Sequence, residues 1–193
     1  MAYLDTSAKP LLLIVTGRPG AGKTTLSQKM GNEFFMPVVS RDSIKEGYVH
    51  TFGKKHNELP TETNGIVNRI FSETLMCLIS NNVSVIAEAA FQHQIWVGLL
   101  APFIDEARIF IIICAIDGAT AVERFVKRGF DIDKREYFHG DKGVDMARKG
   151  IKLSVSHYDA PRLDTSLART IYVDTTDEYV PSLESLGRMI FTI

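Results

Sequence analysis

The sequence predicts an α/β fold: a mainly parallel, five-stranded sheet with helices on both faces. Five short aliphatic runs alternate with segments of helical periodicity, and each run is continuously apolar, which is typical of parallel strands covered on both sides. With 193 residues, of which 45% are hydrophobic and 23% charged, the chain is long enough for one full-size core. We therefore expect a single domain over residues 1–193.

Strand and helix patterns follow one another along the chain. The predicted strands cover residues 11–16, 36–40, 83–88, 107–116 and 170–174. The predicted helices cover residues 23–34, 62–80, 94–106 and 117–129, with a last helix from residue 181 or 182. The stretch at 130–143 is rich in charge and has little apolar content, so we expect an irregular, mobile, lid-like segment at about residues 129–145.

Charge and cysteine content narrow the class of protein. The net charge is −1 at pH 7, so no global basic field attracts nucleic acid or an anionic membrane. The first residues carry no basic region, and the run LLLIV is far too short to cross a membrane. Cys77 and Cys114 lie in apolar stretches without metal-ligand spacing, so we expect two core residues in a reducing compartment. These features predict a cytoplasmic protein and disfavour nucleic acid as a partner.

The segment GRPGAGKTT follows the first predicted strand and opens the first predicted helix. Gly17, four residues, Gly22, Lys23 and Thr24 have the spacing of a phosphate-binding loop, whose structural alternative is a glycine turn that only caps a helix. In such a loop the amides cradle phosphates, the lysine reaches the β and γ oxygens, and the hydroxyl ligates Mg²⁺. The predicted nucleotide-binding residues here are Gly17, Arg18, Pro19, Gly20, Ala21, Gly22, Lys23, Thr24 and Thr25.

Two carboxylates lie at or just beyond the ends of the next two predicted strands. Asp42 is placed to accept a proton from a substrate hydroxyl, as phosphoryl transfer requires, or else it is the N-cap of a short helix. Glu88 is placed to hold Mg²⁺ or to touch the substrate, or else it faces solvent. Because ligands bind at the carboxyl ends of parallel strands, Arg41, Phe91 and His93 are further candidates for the acceptor pocket, although Phe91 equally suits the core.

Arginines follow the fourth predicted strand. Arg124 and Arg128 stand at i, i+4 on one helix, where like charges cost about 0.2–0.5 kcal/mol without an anion between them. They bind phosphate, or they form part of a solvated basic face. Arg135, in the lid-like segment, adds a cation that could close over a transferring phosphate.

These motifs stand in a familiar order. GRPGAGKTT, SRDSIKEG, a strand ending EAAF, ERFVKRG with DKRE, and TIYVDTTDEY resemble the small P-loop kinases over nearly the whole chain. The most similar group is that of polynucleotide kinase, zeta toxins and chloramphenicol phosphotransferase. The resemblance implies a nucleoside-kinase-like, three-layer P-loop NTPase fold with the P-loop strand central, and transfer of the ATP γ-phosphate to an acceptor hydroxyl.

The resemblance also implies residue roles. Asp42 becomes the catalytic base, Arg128 with Arg124 contacts the adenine or the phosphates, and Arg135 is a lid arginine. The segment implied near the nucleotide base runs from Asp174 to Tyr179, with Asp174 and Thr175 as its nucleotide-binding residues.

The acceptor side departs from the family pattern. Glu88 and Ala90 stand where many relatives carry Asp and a hydroxyl or amide residue, and FQHQIW lacks the basic residue that often follows. The sequence therefore does not identify the acceptor.

The leading hypothesis is an ATP- and Mg²⁺-dependent kinase for a small molecule that bears a hydroxyl. One alternative is a 5′-hydroxyl polynucleotide kinase, which the charge balance disfavours because phosphate neutralisation dominates nucleic-acid affinity. Another is a nucleotide-gated ATPase switch, which would leave Asp42 without a catalytic purpose. The sequence predicts no oligomeric state.

Overall fold

The structure, a computed structural model, describes residues 8–91, 93–131, 134–158 and 168–191. Its strands are β1 (Leu11–Thr16), β2 (Val38–Ser40), β3 (Val85–Glu88), β4 (Arg108–Ala115) and β5 (Arg169–Asp174). All four strand pairings are parallel, in the order β2-β3-β1-β4-β5, so the strand before the glycine-rich loop is central. The predicted five-stranded parallel sheet is confirmed.

Eight α-helices lie in the described part of the chain. They are α1 (Lys23–Phe34), α2 (Arg41–Phe52), α3 (Thr63–Ser80), α4 (His93–Leu100), α5 (Gly118–Asp131), α6 (Arg135–His139), α7 (Lys142–Arg148) and α8 (Leu183–Phe191). Short 3₁₀ turns cover His56–Glu58, Ala101–Phe103 and Val155–Tyr158. None of the helices in these ranges combines the length and apolar composition needed to cross a bilayer.

The central strand explains the three layers. All six residues of β1 are buried, and alternate residues face opposite sides of the sheet. Leu13 packs in a core with α1, α5 and α8, whereas Leu12 and Ile14 pack in a second core with α3 and α4. A strand with two covered faces cannot alternate apolar and polar residues, which is why LLLIV reads as a continuous run.

The lid-like segment differs from its predicted irregular form. Residues 130–143 include α6 and the start of α7, separated by Gly140 in a left-handed conformation with φ of 57°. Val144 of α7 is buried with Phe125 of α5 and Leu153, which gives the segment an apolar anchor that its composition hides. Its mobility stays a prediction.

One of the two cysteines departs from its predicted place. Cys114 is buried in β4, and burial raises the pKa of its thiol to about 12. The prediction of a core position for Cys77 is wrong, because its side chain is exposed. Helix α3 buries Val67, Phe71 and Leu75, each four residues after the last, and Cys77 lies half a turn from that stripe.

The indole of Trp96 links α4 to the end of β1. It is 1% exposed, and its Nε1 donates to Thr16 Oγ1 at 2.9 Å. We expect Trp96→Phe to lower the free energy of unfolding by about 1–3 kcal/mol, because the variant loses volume and leaves a buried hydroxyl without its donor. Urea denaturation measures the change. Ile95→Ala, at an exposed position of the same helix, is the control and should change it by less than about 0.5 kcal/mol.

Candidate active site

The glycine-rich loop lies directly against β4 and α5. Gly17 and Gly20 have positive φ, of 147° and 84°. A Cβ on Gly17 would lie 2.9 Å from the carbonyl oxygen of Cys114, and one on Gly20 would lie 2.1 Å from that of Ala121. Only a residue without a side chain permits this approach, so the glycines hold the loop against the sheet with its amides at the carboxyl edge.

Lys23 begins α1 and is 9% exposed. Its Nζ donates to the carbonyl oxygen of Arg18 at 3.0 Å, inside the loop. Burial lowers the pKa of Lys23, and the nearby Glu88 carboxylate opposes that effect. An anion in the loop would favour the charged ammonium further, so Lys23 suits a phosphate ligand.

Two clefts open at this edge of the sheet. One, of about 300 Å³, is lined by Gly20, Gly22, Thr25, Arg124 and Arg128. The other, of about 180 Å³, is lined by Pro19, Lys23, Thr24, Arg41, Asp42, Lys45, Glu88, Ala90, Phe125, Arg128, Arg135, His139 and Asp141. Arg128 belongs to both, so the clefts adjoin. A larger cavity of about 530 Å³ between α2 and α6 has a mixed lining with two aromatic side chains, and none of its described lining residues belongs to the glycine-rich loop.

Arg124 fixes the end of β5 to the loop side of the sheet. Its guanidinium donates to the carbonyl oxygens of Thr175, at 2.9 Å, and of Thr176. Thr175 is buried, and its Oγ1 donates to the carbonyl oxygen of Ala21 at 2.9 Å. Arg124 is therefore no part of a solvated basic face. Asp174 is exposed, accepts from the Thr176 amide and lines neither cleft as described.

A serine, and not Asp42, caps α2. Ser40 accepts the amide of Ser43 at 3.4 Å and donates to Glu88 Oε2 at 2.7 Å. Asp42 stands two residues further, in the first turn, with its carboxylate in the smaller cleft. The structural alternative of an aspartate N-cap is thereby excluded.

Asp42 lies among basic side chains. Its carboxylate lies 3.5 Å from Arg41 and 4.0 Å from His139, and Lys23 and Lys45 are close. Burial raises its pKa, but the imidazolium that His139 forms at low pH, together with the cations of Arg41, Lys23 and Lys45, outweighs burial and leaves the pKa below the usual aspartate value. The carboxylate is therefore ionised at neutral pH and can only accept hydrogen bonds.

Glu88 is 3% exposed, which excludes the alternative of a solvent-facing charge. Burial raises its pKa, against the effects of Lys23 and the Ser40 hydroxyl. Thr24 and Glu88 both line the smaller cleft and supply hard oxygen ligands. The described residues contain no cluster of three His, Cys, Asp or Glu side chains suited to a metal. The oxygens of Thr24 and Glu88 fit Mg²⁺, because this ion takes few protein oxygens beside phosphate and water.

Arg128 and Arg135 both line the smaller cleft. The Nε of Arg128 is buried and has no hydrogen-bond partner among the described residues. Burial lowers the pKa of Arg128, and the neighbouring Arg135 guanidinium lowers it further. Arg135 Nε lies 3.1 Å from Asp141 Oδ2. Two guanidiniums that repel each other in one cleft, each with a buried Nε that makes no hydrogen bond among the described residues, suit an anionic ligand.

The acceptor side is only partly as predicted. Arg41 lines the cleft, held by the side-chain oxygens of Asn68 at 3.0 Å and Asn64 at 2.8 Å. Phe91 packs at the core edge, 5.0 Å from Trp96 between ring centroids, and the Arg41 guanidinium lies over its ring at 6.0 Å from the centroid. Phe91 therefore supports Arg41 and is not among the described residues that line the cleft. The side chain of His93 lies outside the described part of the chain.

Three polar residues of the cleft were missed, Lys45, His139 and Asp141, besides the apolar Ala90 and Phe125. Lys45 follows Asp42 by three positions, so its place on the same helix face was available once α2 was recognised. His139 and Asp141 come from the lid-like segment, and only the tertiary packing of α6 on α2 brings them to the site.

A comparison with known protein families identifies the family of this chain. Residues 12–149 match the AAA domain family. The chain belongs to this family. No curated protein matches the sequence.

Solved structures share the fold at low identity. A presumed kinase from Chloroflexus aurantiacus is 22% identical, with a TM-score of 0.75 over 95% of this chain and 97% of its own. Shikimate kinase from Acinetobacter baumannii, in complex with shikimate, is 14% identical, with a TM-score of 0.53 over 95% and 91%. A chain of the Pnkp1/Rnl/Hen1 RNA repair complex is 18% identical, with a TM-score of 0.54 over 86% and 53%. The fold is that of the P-loop kinases, as the sequence resemblance implied.

The close approach of the loop to α5 is testable with a matched pair of glycines. Gly20 and Gly22 have similar φ values, 84° and 79°, so an alanine at either costs about 1–2 kcal/mol of backbone strain. A Cβ at Gly22 meets only Thr175, at 3.6 Å, whereas at Gly20 it collides with Ala121. We expect Gly20→Ala to lower the free energy of unfolding by about 1–3 kcal/mol more than Gly22→Ala, measured in urea. Equal losses would contradict this contact.

Proposed function

We propose that the protein is an ATP- and Mg²⁺-dependent kinase that transfers the γ-phosphate to a hydroxyl of a small-molecule acceptor. One observation carries the proposal: the ionised carboxylate of Asp42 and the buried ammonium of Lys23 share one polar cleft of about 180 Å³. A phosphate cradle alone would suit any NTPase. A carboxylate facing that cradle, in a cleft with room for a small molecule, supports phosphoryl transfer to a hydroxyl.

The loop and the arginines of α5 suit the nucleotide. The amides of residues 17–25 would hold the phosphates, with Lys23 at the β and γ oxygens and Arg124 and Arg128 in the adjoining cleft. Thr24 and Glu88 would hold Mg²⁺, which when bound neutralises charge on the β- and γ-phosphates.

Asp42 would act on the acceptor. It would orient the hydroxyl and accept its proton as the oxygen attacks phosphorus. Arg128 and Arg135 would stabilise the charge on the transferring group. Because Arg135 lies on α6, we further propose that residues 129–145 act as a lid that places this arginine and excludes water. Arg41, fixed by two asparagines, would border the acceptor.

The proposal is tested by an ADP-release screen. The acceptors are sugars, sugar acids, nucleosides, aminoglycosides and short 5′-hydroxyl oligonucleotides, each with ATP and Mg²⁺. At least one small molecule should raise ADP release well above the acceptor-free rate. In Lys23→Ala that release should fall to background, because the variant lacks the charge on the β and γ oxygens. The exposed Lys29→Ala on the same helix is the control.

Other outcomes point to other functions. Release raised only by oligonucleotides would favour a polynucleotide kinase. Acceptor-independent hydrolysis alone would favour a nucleotide-gated switch and would overturn the kinase proposal.

Asp42→Asn separates catalysis from structure. Asparagine keeps the size of the side chain but loses its proton affinity, so acceptor-dependent turnover should fall about 10²–10⁴-fold. The affinity for an ATP analogue should hardly change, since Asp42 would not hold the phosphates. Steady-state kinetics and calorimetric titration measure the two quantities, with the exposed Asp105→Asn as control. A folded Asp42→Asn protein within a few-fold of wild-type turnover refutes the assignment of Asp42 as base.

A further inference from the structure

A buried histidine joins the lid-like segment to the helix that carries Asp42. His139, at the end of α6, is 6% exposed. Its Nε2 lies 2.7 Å from Glu46 Oε1, and its Nδ1 lies 4.0 Å from Asp42 Oδ2. Lys45 Nζ donates to the His139 carbonyl oxygen at 2.9 Å. One imidazole therefore lies between two carboxylates of α2, and none of the roles proposed above uses it.

Because of helical spacing, the contact of His139 with α2 also affects the positions of Asp42 and Arg135. Asp42 and Glu46 stand at i, i+4 on α2, so they share one face of the helix. Arg135 and His139 stand at i, i+4 on α6, so they too share a face. When His139 docks between the two carboxylates, Arg135 is brought into the cleft beside Arg128. The docked His139 side chain thus places Arg135 and lies beside Asp42, the proposed base.

The hydrogen bond to Glu46 assigns the proton of the neutral imidazole. A carboxylate only accepts, so Nε2 carries the hydrogen and donates to Glu46. The Nδ1 atom then presents a lone pair towards Asp42, and the 4.0 Å separation is too long for a hydrogen bond. In this state His139 makes no hydrogen bond to Asp42 Oδ2, and this oxygen can accept one from an acceptor hydroxyl. A second proton, on Nδ1, would attract Asp42 and compete with that hydroxyl.

Charged groups from two elements act on the imidazole. Asp42, Lys45 and Glu46 come from α2, and Arg135 comes from α6. The 3₁₀ turn His56–Glu58 also packs against α6, with its titratable His56 beside Gly140. Burial lowers the pKa of His139 and Arg135 lowers it further, against the effects of Asp42 and Glu46. The net direction is below the ordinary value of 6.5, so the ring is neutral at pH 7.

We propose that His139 is a positioning residue of the kinase: bound to Glu46, it seats α6 on α2, places Arg135 in the cleft, and in its neutral form leaves Asp42 free to receive the acceptor proton. The inference rests on the function proposed above.

The first test needs no acceptor. NMR titration of the histidine rings in the free protein, assigned with His139→Gln, should show His139 titrating below pH 6.5. Glu46→Gln removes a carboxylate that favours the imidazolium, so it should lower that pKa further. The exposed His50→Gln, one turn beyond Glu46 on α2, is the control and should leave it unchanged. A His139 that titrates at the ordinary value and ignores Glu46→Gln overturns the proposal.

The second test uses the acceptor that gives the highest turnover in the ADP-release screen. The wild-type kcat should fall as the pH is lowered through the pKa of His139, because the imidazolium then engages Asp42. In His139→Gln this step should disappear, since the amide can still donate to Glu46 but does not titrate. His139→Ala should lower kcat about 10–100-fold at pH 7.5 and change the KM for ATP less, because α6 then lacks the hydrogen bond of His139 to Glu46 on α2.

The outcomes are separable. Thermal melting checks that each variant is folded. If His139→Ala does not fold, His139→Gln still tests the proposal. A pH step that persists in His139→Gln, or a folded His139→Ala with wild-type kcat, overturns the positioning role and leaves the kinase proposal standing. Failure of every acceptor overturns the kinase proposal and the positioning role with it.

Discussion

The parallel register of three strands is the constraint on which the site depends. Glu88, at the end of β3, pairs with Val15 of β1 on one side and with Ser40 of β2 on the other. The glycine-rich loop leaves β1 just beyond this point, and α2 begins directly after Ser40. One hydroxyl, that of Ser40, bonds both the first turn of α2 and the Glu88 carboxylate. A slip of one residue would turn Glu88 to the other face of the sheet and would separate the loop from Asp42.

The charges that meet at this edge are poorly satisfied by the protein alone. Lys23 and Glu88 are buried. Burial lowers the pKa of Lys23 and raises that of Glu88, so it favours the neutral form of each. Arg128 keeps a buried Nε without a hydrogen-bond partner in the described chain. Such an arrangement does little for stability, because a desolvated charge is costly until something compensates it. It is the arrangement expected of a site that is completed by a charged ligand.

The parts of the fold and site that could be predicted are those with a local signal. The run before Gly17 is apolar because β1 is covered on both faces, and the loop spacing identifies its own chemistry. Asp42 and Glu88 could be proposed because both follow strand ends, and the structure brings both to the smaller cleft. Their chemical roles stay predictions.

The parts that could not be predicted depend on packing between distant segments. Helix α2 buries only Lys45 and Val49, so it shows no apolar stripe, and it was expected at most as a short helix capped by Asp42. Helices α6 and α7 are too short for a periodic pattern to emerge. His139 meets Glu46 only after α6 packs on α2, and no spacing in the sequence encodes that contact.

The two halves of the lid-like segment are held by different forces. Helix α7 is anchored by the apolar contact of Val144 with Phe125, whereas the contacts of α6 with α2 described above are polar and charged. Salt screens buried charges much less than exposed ones, and His139 and Lys45 are both buried. The partly exposed ion pair of Arg148 on α7 with Glu136 on α6 joins the two halves across Gly140. Added salt therefore acts mainly on the contact between the two halves and leaves the anchor of each half in place.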